Sequence, residues 1–191
     1  MNNIEIEIQV QLENAAPLVA FLQKNAVKKG SYHQIDEYFT LAHRDFISVR
    51  PVVEWLRLRD SSGECSITYK YWHQSSPGIT SHCDEYETEI KDIEQARLIF
   101  KALDFTLVTT VDKTREIYHY DDFEIALDQV KGLGDFVEIE HKGDGKGEDA
   151  TEITAKMVKF LKDLQVGKIY RNHVGYAFRT LSKEDVLLEE L

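Results

Sequence analysis

The chain has 191 residues, of which 42% are hydrophobic, and a formal net charge of -11. This size and composition suit one well-packed domain, expected over residues 1–181 and followed by a tail over 182–191. The negative charge argues against a nucleic-acid backbone or an anionic membrane as partner, because both attract basic surfaces. The two cysteines have no metal-ligand spacing and no apolar run is long enough to span a bilayer, so we expect a cytoplasmic protein.

Three amphipathic helices are predicted along the chain. The first contains Pro17 near its start and ends before Gly30. The second begins at Asp92, and the third begins near Thr151 and ends at Gly167. Each has one apolar stripe, which indicates that it packs against a sheet.

Period-two alternation of polar and apolar residues predicts strands around these helices. The predicted strands are Ile4–Val10, Gln34–Leu41, Glu54–Arg59, Cys65–Trp72, Glu85–Ile90, Asp112–Tyr120, Phe123–Val130 and Phe136–His141. So many strands with so few helices indicate an antiparallel α+β protein, with a closed or nearly closed barrel. Gly132 and Gly134 lack the spacing of a phosphate-binding loop and predict a tight turn between two strands.

Acidic side chains repeat on one face of the first and last predicted strands. Side chains alternate across a strand, so Glu5 and Glu7 share a face, as do Glu138 and Glu140. Carboxylates beside an apolar strand face are unfavourable unless a cation pairs with them. These glutamates therefore predict a divalent-metal site.

Basic side chains alternate in the same way on the strands between. In the predicted strand Glu54–Arg59, Leu56 and Leu58 point to one face, and Arg57 and Arg59 point to the other. If the barrel closes, one interior holds a basic set and an acidic set: Arg57, Arg59, Lys70, Lys113 and Arg115, with Glu5, Glu7, Glu87, Glu89, Asp128, Glu138 and Glu140. Such a lumen suits a polyphosphate with its metal ions, because arginine and lysine bind phosphate and carboxylates bind hard cations.

A blander interpretation stays open for each strand taken alone. Alternating charged and apolar residues are more often a half-exposed sheet with a solvated face. Trp55 is as typical of a packing aromatic as of a residue that stacks on a ligand. The same alternation of charged and apolar residues recurs on several strands, and this repetition favours a charged interior.

These segments together resemble the CYTH superfamily, which includes class IV adenylyl cyclases, thiamine triphosphatases and other triphosphate tunnel metalloenzymes. The resemblance covers nearly the whole chain and rests on residues 5–9, 55–59, 67–70, 113–115 and above all 127–140. The last segment is most similar to the cyclase branch. The resemblance implies a closed eight-stranded antiparallel tunnel, with helices packed outside, that binds a triphosphate and Mg²⁺ or Mn²⁺.

The resemblance also implies roles for single residues. Glu5, Glu7 and Glu138 resemble metal ligands, with Glu87, Glu89, Asp128 and Glu140 in the same shell, and Arg57, Arg59, Lys70, Lys113 and Arg115 resemble the triphosphate grip. Tyr38 and Lys70 resemble a pair that activates water, and Trp55 stands where thiamine triphosphatases place an aromatic against the substrate ring. Gln9 departs from the family, which has a lysine there, so the phosphate grip is weakened at this position.

Three functions follow as alternatives. The first is an adenylyl cyclase that converts ATP to cyclic AMP and pyrophosphate, favoured by the segment 128–140. The second is a triphosphatase acting on thiamine triphosphate or inorganic tripolyphosphate, with which Tyr38, Trp55 and Lys70 are compatible. The third is a tunnel that binds a polyphosphate or nucleotide without turnover, suggested by Gln9. The expected partner is thus a triphosphate small molecule, and the family leaves a homodimer open.

Overall fold

The computed structural model describes residues 6–76, 79–142, 149–182 and 188–191, with the backbone alone for 74–76 and 79–82. Its elements in chain order are β1 (Glu7–Leu12), α1 (Ala16–Asn25), β2 (Val27–Leu41), β3 (Glu54–Ser61), β4 (Glu64–Ser76), β5 (Ile79–Ile90), α2 (Ile93–Ala102), β6 (Phe105–Tyr120), β7 (Phe123–Val130), β8 (Gly134–His141), α3 (Ala150–Asp163), β9 (Ile169–Arg171), α4 (Gly175–Leu181) and β10 (Glu189–Glu190). The prediction of an α+β protein with a large antiparallel sheet is confirmed.

The strands of the described chain form one ten-stranded sheet in the order β10-β9-β1-β8-β7-β6-β2-β3-β4-β5. The prediction of a closed eight-stranded barrel is wrong, because within the described residues β5 and β10 are the two edges of the sheet. Closure needs an unbroken ladder of strand pairs around the barrel. Instead, β9 and β10 extend the sheet past β1 with strands of only 3 and 2 residues.

One end of the sheet is covered by α1 and α3. We call the sheet face under these helices the outer face. Its main hydrophobic cluster joins strand residues to the apolar stripes of both helices: Ile8, Val10, Ile125 and Ile139 from the sheet, Leu18 and Leu22 from α1, and Ile153, Met157 and Leu161 from α3. All of these side chains are almost fully buried, so this cluster fixes which face of β1, β7 and β8 points away from the helices.

The other half of the outer face is covered by α2. Asp92 caps this helix by accepting a hydrogen bond from the backbone N–H of Gln95 at 3.0 Å. Phe100 then packs with Phe39, Leu56 and further apolar side chains of β2 and β3. The predicted alternation of β3 is confirmed, since its Leu56 and Leu58 are buried under α2.

The opposite face, which we call the inner face, is partly covered by α4. Tyr176 of this helix packs edge-on against Phe136 at 5.0 Å between ring centroids and joins Val111 and Val130 in a small buried cluster. The sequence interpretation missed α4, which has seven residues. It is the element that lies over the charged side chains described below.

Two boundaries also differ from the prediction. The first helix ends at Asn25, and residues 27–33, partly assigned to that helix from the sequence, begin the long strand β2. The turn after Val130 agrees with the prediction, since Gly132 and Gly134 have φ of 82° and 96°, values that favour glycine. In the described parts of the chain, no helix is long and apolar enough to cross a membrane.

Candidate functional site

Strand register places the predicted charged residues on the inner face. Arg59 of β3 lies opposite Asp36 of β2, and Arg115 of β6 lies opposite Asp128 of β7. Gln9 of β1 lies opposite Glu138 of β8. Because side chains directly opposite each other in a sheet point to the same face, these cross-strand pairs form one polar surface whose apolar neighbours pack on the outer face.

Two buried aspartates each hold one arginine by the same edge. Asp36 accepts hydrogen bonds from Nε and Nη2 of Arg59 at 2.6 and 2.7 Å. Asp128 accepts from Nε and Nη2 of Arg115 at 2.7 and 2.6 Å. The aspartate side chains are 2% and 0% exposed. A bidentate pair fixes the guanidinium plane, so both arginines are oriented with the Nη1 side directed away from the carboxylate.

The charge of Asp36 is stabilised by these neighbours. Burial alone would raise its pKa, but the hydrogen bonds from Arg59 and the charge of Arg57 hold the pKa at about 2. Asp36 is therefore an anion throughout the neutral range, and it keeps Arg59 in place.

Lys113 is a buried cation that interacts with both buried aspartates, Asp128 and Asp36. Its side chain is 3% exposed, its Nζ is 3.6 Å from Asp128, and the same atom is 5.0 Å from the centroid of the Tyr176 ring. Burial, and then the like charge of Arg115, lower its pKa to about 8, against the opposing effect of Asp128 and Asp36. An anion arriving here would favour the charged form of this lysine.

Glu138 links the cations to β1. It accepts a hydrogen bond from Nε2 of Gln9 at 3.1 Å and pairs with Arg115 at 3.1 Å, across the intervening strand β7. Burial would raise its pKa, but the charges of Arg115 and Lys113 hold the pKa well below its usual range. Gln9 is in turn bound by the side-chain amide of Asn172. Gln9, where the resemblance implies a lysine, therefore faces the site.

A row of glutamates crosses three neighbouring strands beside Glu138. Glu140 of β8 lies opposite Glu7 of β1 on one side and Glu124 of β7 on the other. Lys142 approaches Glu140 at 2.7 Å, and His119 approaches Glu124 at 2.6 Å. Like charges directly opposite each other are unfavourable unless a cation compensates them, and Lys142, 2.7 Å from Glu140 and 4.0 Å from Glu124, supplies that compensation.

Glu7, Glu138 and Glu140 form an acidic edge of the inner face that could hold a divalent metal. Carboxylate oxygens are the ligands that Mg²⁺ and Mn²⁺ prefer, and Glu7, Glu138 and Glu140 present them on one face of two adjacent strands. Among the described residues, which do not include Glu5, no three acidic, histidine or cysteine side chains converge on one point. The donor chemistry fits a hard cation, and binding would require Glu138 and Glu140 to exchange their present partners.

The β5 carboxylates lie on the far side of the basic residues. Glu87 is half exposed and binds Arg57 at 3.3 Å and the hydroxyl of Thr68 at 2.6 Å. Glu89 is exposed and lies opposite Ser66. The structure thus does not bring Glu87 and Glu89 to the acidic edge on β1 and β8.

Tyr38 and Lys70 are separated in the sheet. Tyr38 lies opposite Arg57, whereas Lys70 lies opposite Trp55 and pairs with Glu85 at 2.8 Å. The rings of Tyr38 and Trp55 pack edge-on at 5.4 Å. Burial raises the pKa of Tyr38, so its hydroxyl keeps its proton at neutral pH.

The structure therefore gathers most of the predicted site and adds residues that the sequence interpretation missed. Gln9, Arg57, Arg59, Lys113, Arg115, Asp128 and Glu138 lie together, Glu7 and Glu140 lie beside them, Trp55, Tyr38 and Lys70 lie at one end, and Glu5 falls outside the described residues. The missed residues include Asp36, Asn172 and Tyr176, whose hydroxyl donates to Asp128 at 2.8 Å. Only Asp36 had a sequence signal, since it shares the parity of Tyr38 on one strand.

Comparisons with known proteins agree on one family. A family model described as CYTH domain matches residues 1–171. A protein of Methanocaldococcus jannaschii that is provisionally named an adenylate cyclase is 36% identical over 167 residues, which make up 86% of this chain and 91% of that protein.

Two solved structures are similar over nearly the whole chain. A protein from Pyrococcus horikoshii has a TM-score of 0.72 at 28% identity, over 93% of this chain and 97% of that chain. A Hippeastrum protein, provisionally named an adenylyl cyclase and described as having a dominant triphosphatase activity, has a TM-score of 0.64 at 21% identity, over 93% and 95% of the two chains. The second of these supports the fold alone.

Proposed function

This chain belongs to the CYTH domain family, and on that premise we propose that it is a divalent-metal-dependent enzyme that converts ATP to cyclic AMP and pyrophosphate. The observation that carries the proposal is the pair of arginines, Arg59 and Arg115, each held by one edge on a buried aspartate beside the buried Lys113. This arrangement is a preorganised set of donors for a chain of phosphates.

The donor geometry suits a triphosphate because the arginines are oriented but not saturated. A guanidinium has five N–H donors, and the aspartates occupy only the Nε and Nη2 edge of Arg59 and Arg115. Arg57 adds a third guanidinium, whose buried Nε has no hydrogen-bond partner within the described residues. A buried donor without a partner favours the binding of a hydrogen-bond acceptor, such as a phosphate oxygen.

The charge balance favours a metal ion beside a bound triphosphate. Five cations, Arg57, Arg59, Lys70, Lys113 and Arg115, face five carboxylates, Asp36, Glu85, Glu87, Asp128 and Glu138. A triphosphate would make this surface strongly negative. Family members that are tunnel metalloenzymes use divalent metals, and Glu7, Glu138 and Glu140 would hold Mg²⁺ or Mn²⁺ here, where the ion would neutralise and polarise phosphate oxygens.

The residues of the chain itself then have defined roles. Arg59 and Arg115 orient the phosphates, and Lys113 offsets negative charge that develops on the leaving pyrophosphate. Gln9 offers a neutral donor where the family has a cation. The rings of Tyr38 and Trp55 pack edge-on and line the site next to Arg57.

Cyclisation is preferred for two reasons. The relative that is 36% identical is provisionally named an adenylate cyclase. The proposed water-activating pair is also separated, since Lys70 is bound to Glu85 and stands opposite Trp55. Hydrolysis of a triphosphate is the second candidate, because the same grip serves either nucleophile and the Hippeastrum protein is described as a triphosphatase.

The test is product analysis. The purified protein is incubated with Mg²⁺ or Mn²⁺ and, separately, ATP, thiamine triphosphate and inorganic tripolyphosphate, and the products are resolved by chromatography. Cyclic AMP with pyrophosphate is the expected result from ATP. Orthophosphate release would replace it with the triphosphatase function, and binding without turnover would leave a non-catalytic binding site.

A matched pair of variants links any activity to the inner face. Glu138→Gln should abolish metal-dependent turnover, because it removes a proposed ligand charge. Glu116→Gln changes a glutamate on the outer surface that is paired with Lys28 and Tyr118, and should leave turnover unchanged. Equal activity of the two variants would remove Glu138 from the site.

A further inference from the structure

We propose that a pocket beside Lys70, between β4 and the segment 49–53, binds the planar heteroaromatic ring of an organic triphosphate, an inference that rests on the proposed function. The pocket has a volume of about 370 Å³ and is lined by Arg50, Pro51, Tyr71, Trp72 and His73, among others. We call it the ring pocket. Its volume lies at the small end of the range for ligand sites, about 300–1,000 Å³, so it suits one part of a substrate.

The strand geometry places the ring pocket in line with the phosphate-binding cations. Trp72 follows Lys70 by two residues on β4 and therefore has the same parity, and Lys70 follows Thr68, which lies opposite Arg57. At roughly 3.3 Å per residue, each of these two steps is about 7 Å along the strand. A molecule with its phosphates at Arg57 and beyond would reach the ring pocket with its organic end.

Helix α4 connects the two regions. Its Tyr176 donates to Asp128 at the centre of the charged cluster. Two residues later, Phe178 lies under the guanidinium of Arg50, 5.3 Å from the ring centroid. The cation at the rim of the ring pocket is thus supported by the same helix that covers the phosphate-binding side chains.

Arg50 keeps donors for a ligand. It binds the backbone carbonyl oxygens of Ile47 and Val49, and within the described chain no carboxylate forms an ion pair with it. Tyr71 and His73 also line the pocket, but they alternate with Trp72 and point to the other face of β4, where they pack edge-on at 4.9 Å and His73 is 2.7 Å from Asp84. One aromatic side chain, Trp72, with one cation, Arg50, suits a ring that carries acceptor atoms.

Trp55 is less suited to stacking on the ring of the substrate. Its ring already packs against Tyr38, whereas no ring of the described residues stacks on Trp72. We therefore assign ring recognition to Trp72, and Trp55 lines the path between the ring pocket and the phosphates. The chemistry commits the site to organic triphosphates, because inorganic tripolyphosphate has no ring to place there.

The experiment compares Kd values by titration calorimetry for ATP, thiamine triphosphate and inorganic tripolyphosphate. Trp72→Ala should raise the Kd of at least one organic triphosphate about tenfold or more, as expected for loss of a stacking contact. It should leave the Kd of tripolyphosphate within twofold, which also shows that the variant is folded. Trp72→Phe should restore most of the affinity, and Tyr86→Ala, at an exposed aromatic on β5, should change nothing.

Arg50→Gln provides a second test that leaves Trp72 in place. It should weaken the same organic triphosphate and spare tripolyphosphate. If Trp72→Ala and Arg50→Gln change ATP, thiamine triphosphate and tripolyphosphate equally, or change none of them, the ring pocket is wrong while the proposed function stands. If the wild-type protein binds none of the three compounds, the proposed function itself fails and the ring pocket with it.

Discussion

Asp128→Asn should be among the most destabilising conservative changes in the sheet. The Asp128 side chain is fully buried and accepts from Arg115 at 2.7 and 2.6 Å and from Tyr176 at 2.8 Å, with Lys113 at 3.6 Å. Asparagine has the same shape but no charge, so the buried Arg115 and Lys113 would lose the anion that they share. Removing one partner of a buried ion pair costs about 3–5 kcal/mol.

The assay is urea unfolding followed by circular dichroism. With a slope of about 1–3 kcal/mol per molar urea, a loss of about 3–5 kcal/mol lowers the midpoint by about 1–5 M. The matched control is Asp112→Asn, on the strand next to Asp128. Asp112 also has two basic partners, His33 at 2.7 Å and Lys131 at 3.3 Å, but its side chain is 34% exposed.

The control should cost less than about 1 kcal/mol, because solvent screens surface ion pairs. If Asp128→Asn proves no more destabilising than Asp112→Asn, then Asp128 does not hold the cations as described. The argument that Arg115 is preorganised for phosphate would fall with it.

Three further predictions concern the same face. Triphosphate affinity should fall as the pH rises through about 8, because Lys113 then loses the proton that its lowered pKa holds weakly; a flat binding profile from pH 7 to 9 would contradict this. Gln9→Lys should tighten tripolyphosphate binding by roughly 1.5–3 kcal/mol, and unchanged affinity would mean that Gln9 does not reach the phosphates. Asp36 has a folded pKa of about 2 against an ordinary 3.8, so about 2 kcal/mol of stability, present above pH 4, should disappear as the pH falls from 4 to 2; Asp36→Asn should flatten urea-unfolding profiles in that window.

The charged face could be predicted from sequence because strand parity is a local property. Arg57 and Arg59 alternate with Leu56 and Leu58, and the structure separates the two sets as expected. The family resemblance is likewise confirmed. Alternation assigns a side chain to a face wherever its strand lies in the sheet, so these assignments survive an error in topology.

Closure of the barrel could not be predicted in the same way. Parity does not state which strands are neighbours, and the short edge strand Glu189–Glu190 has almost no sequence signal. Helix α4 was missed for a similar reason, since seven residues contain too little periodicity to distinguish a helix. Both features depend on tertiary contacts such as the packing of Tyr176 on Phe136.

The partners of single side chains were also beyond the sequence. Asp128 was expected to be a metal ligand, but it is surrounded by Arg115, Lys113 and Tyr176, and its role as a ligand stays a prediction. Asp36 was not singled out, although it holds Arg59. Which cation a carboxylate binds depends on the order of strands, which residue type and spacing do not encode.

The most direct test of the triphosphate grip is the binding of inorganic tripolyphosphate to the wild-type protein and to Arg57→Ala. Arg57 binds Thr68 at 3.0 Å and the half-exposed Glu87 at 3.3 Å, so its removal leaves no carboxylate buried without a partner. Arg97→Ala, which removes an arginine bound to Glu37 beside α2 on the outer face, is the matched control.

Titration calorimetry should show binding by the wild type, a loss of roughly 1.5–3 kcal/mol in Arg57→Ala, which is about 10- to 150-fold in Kd, and no change in Arg97→Ala. Equal affinities for Arg57→Ala and Arg97→Ala, or no binding by the wild type, would contradict the assignment of the inner face as a triphosphate site.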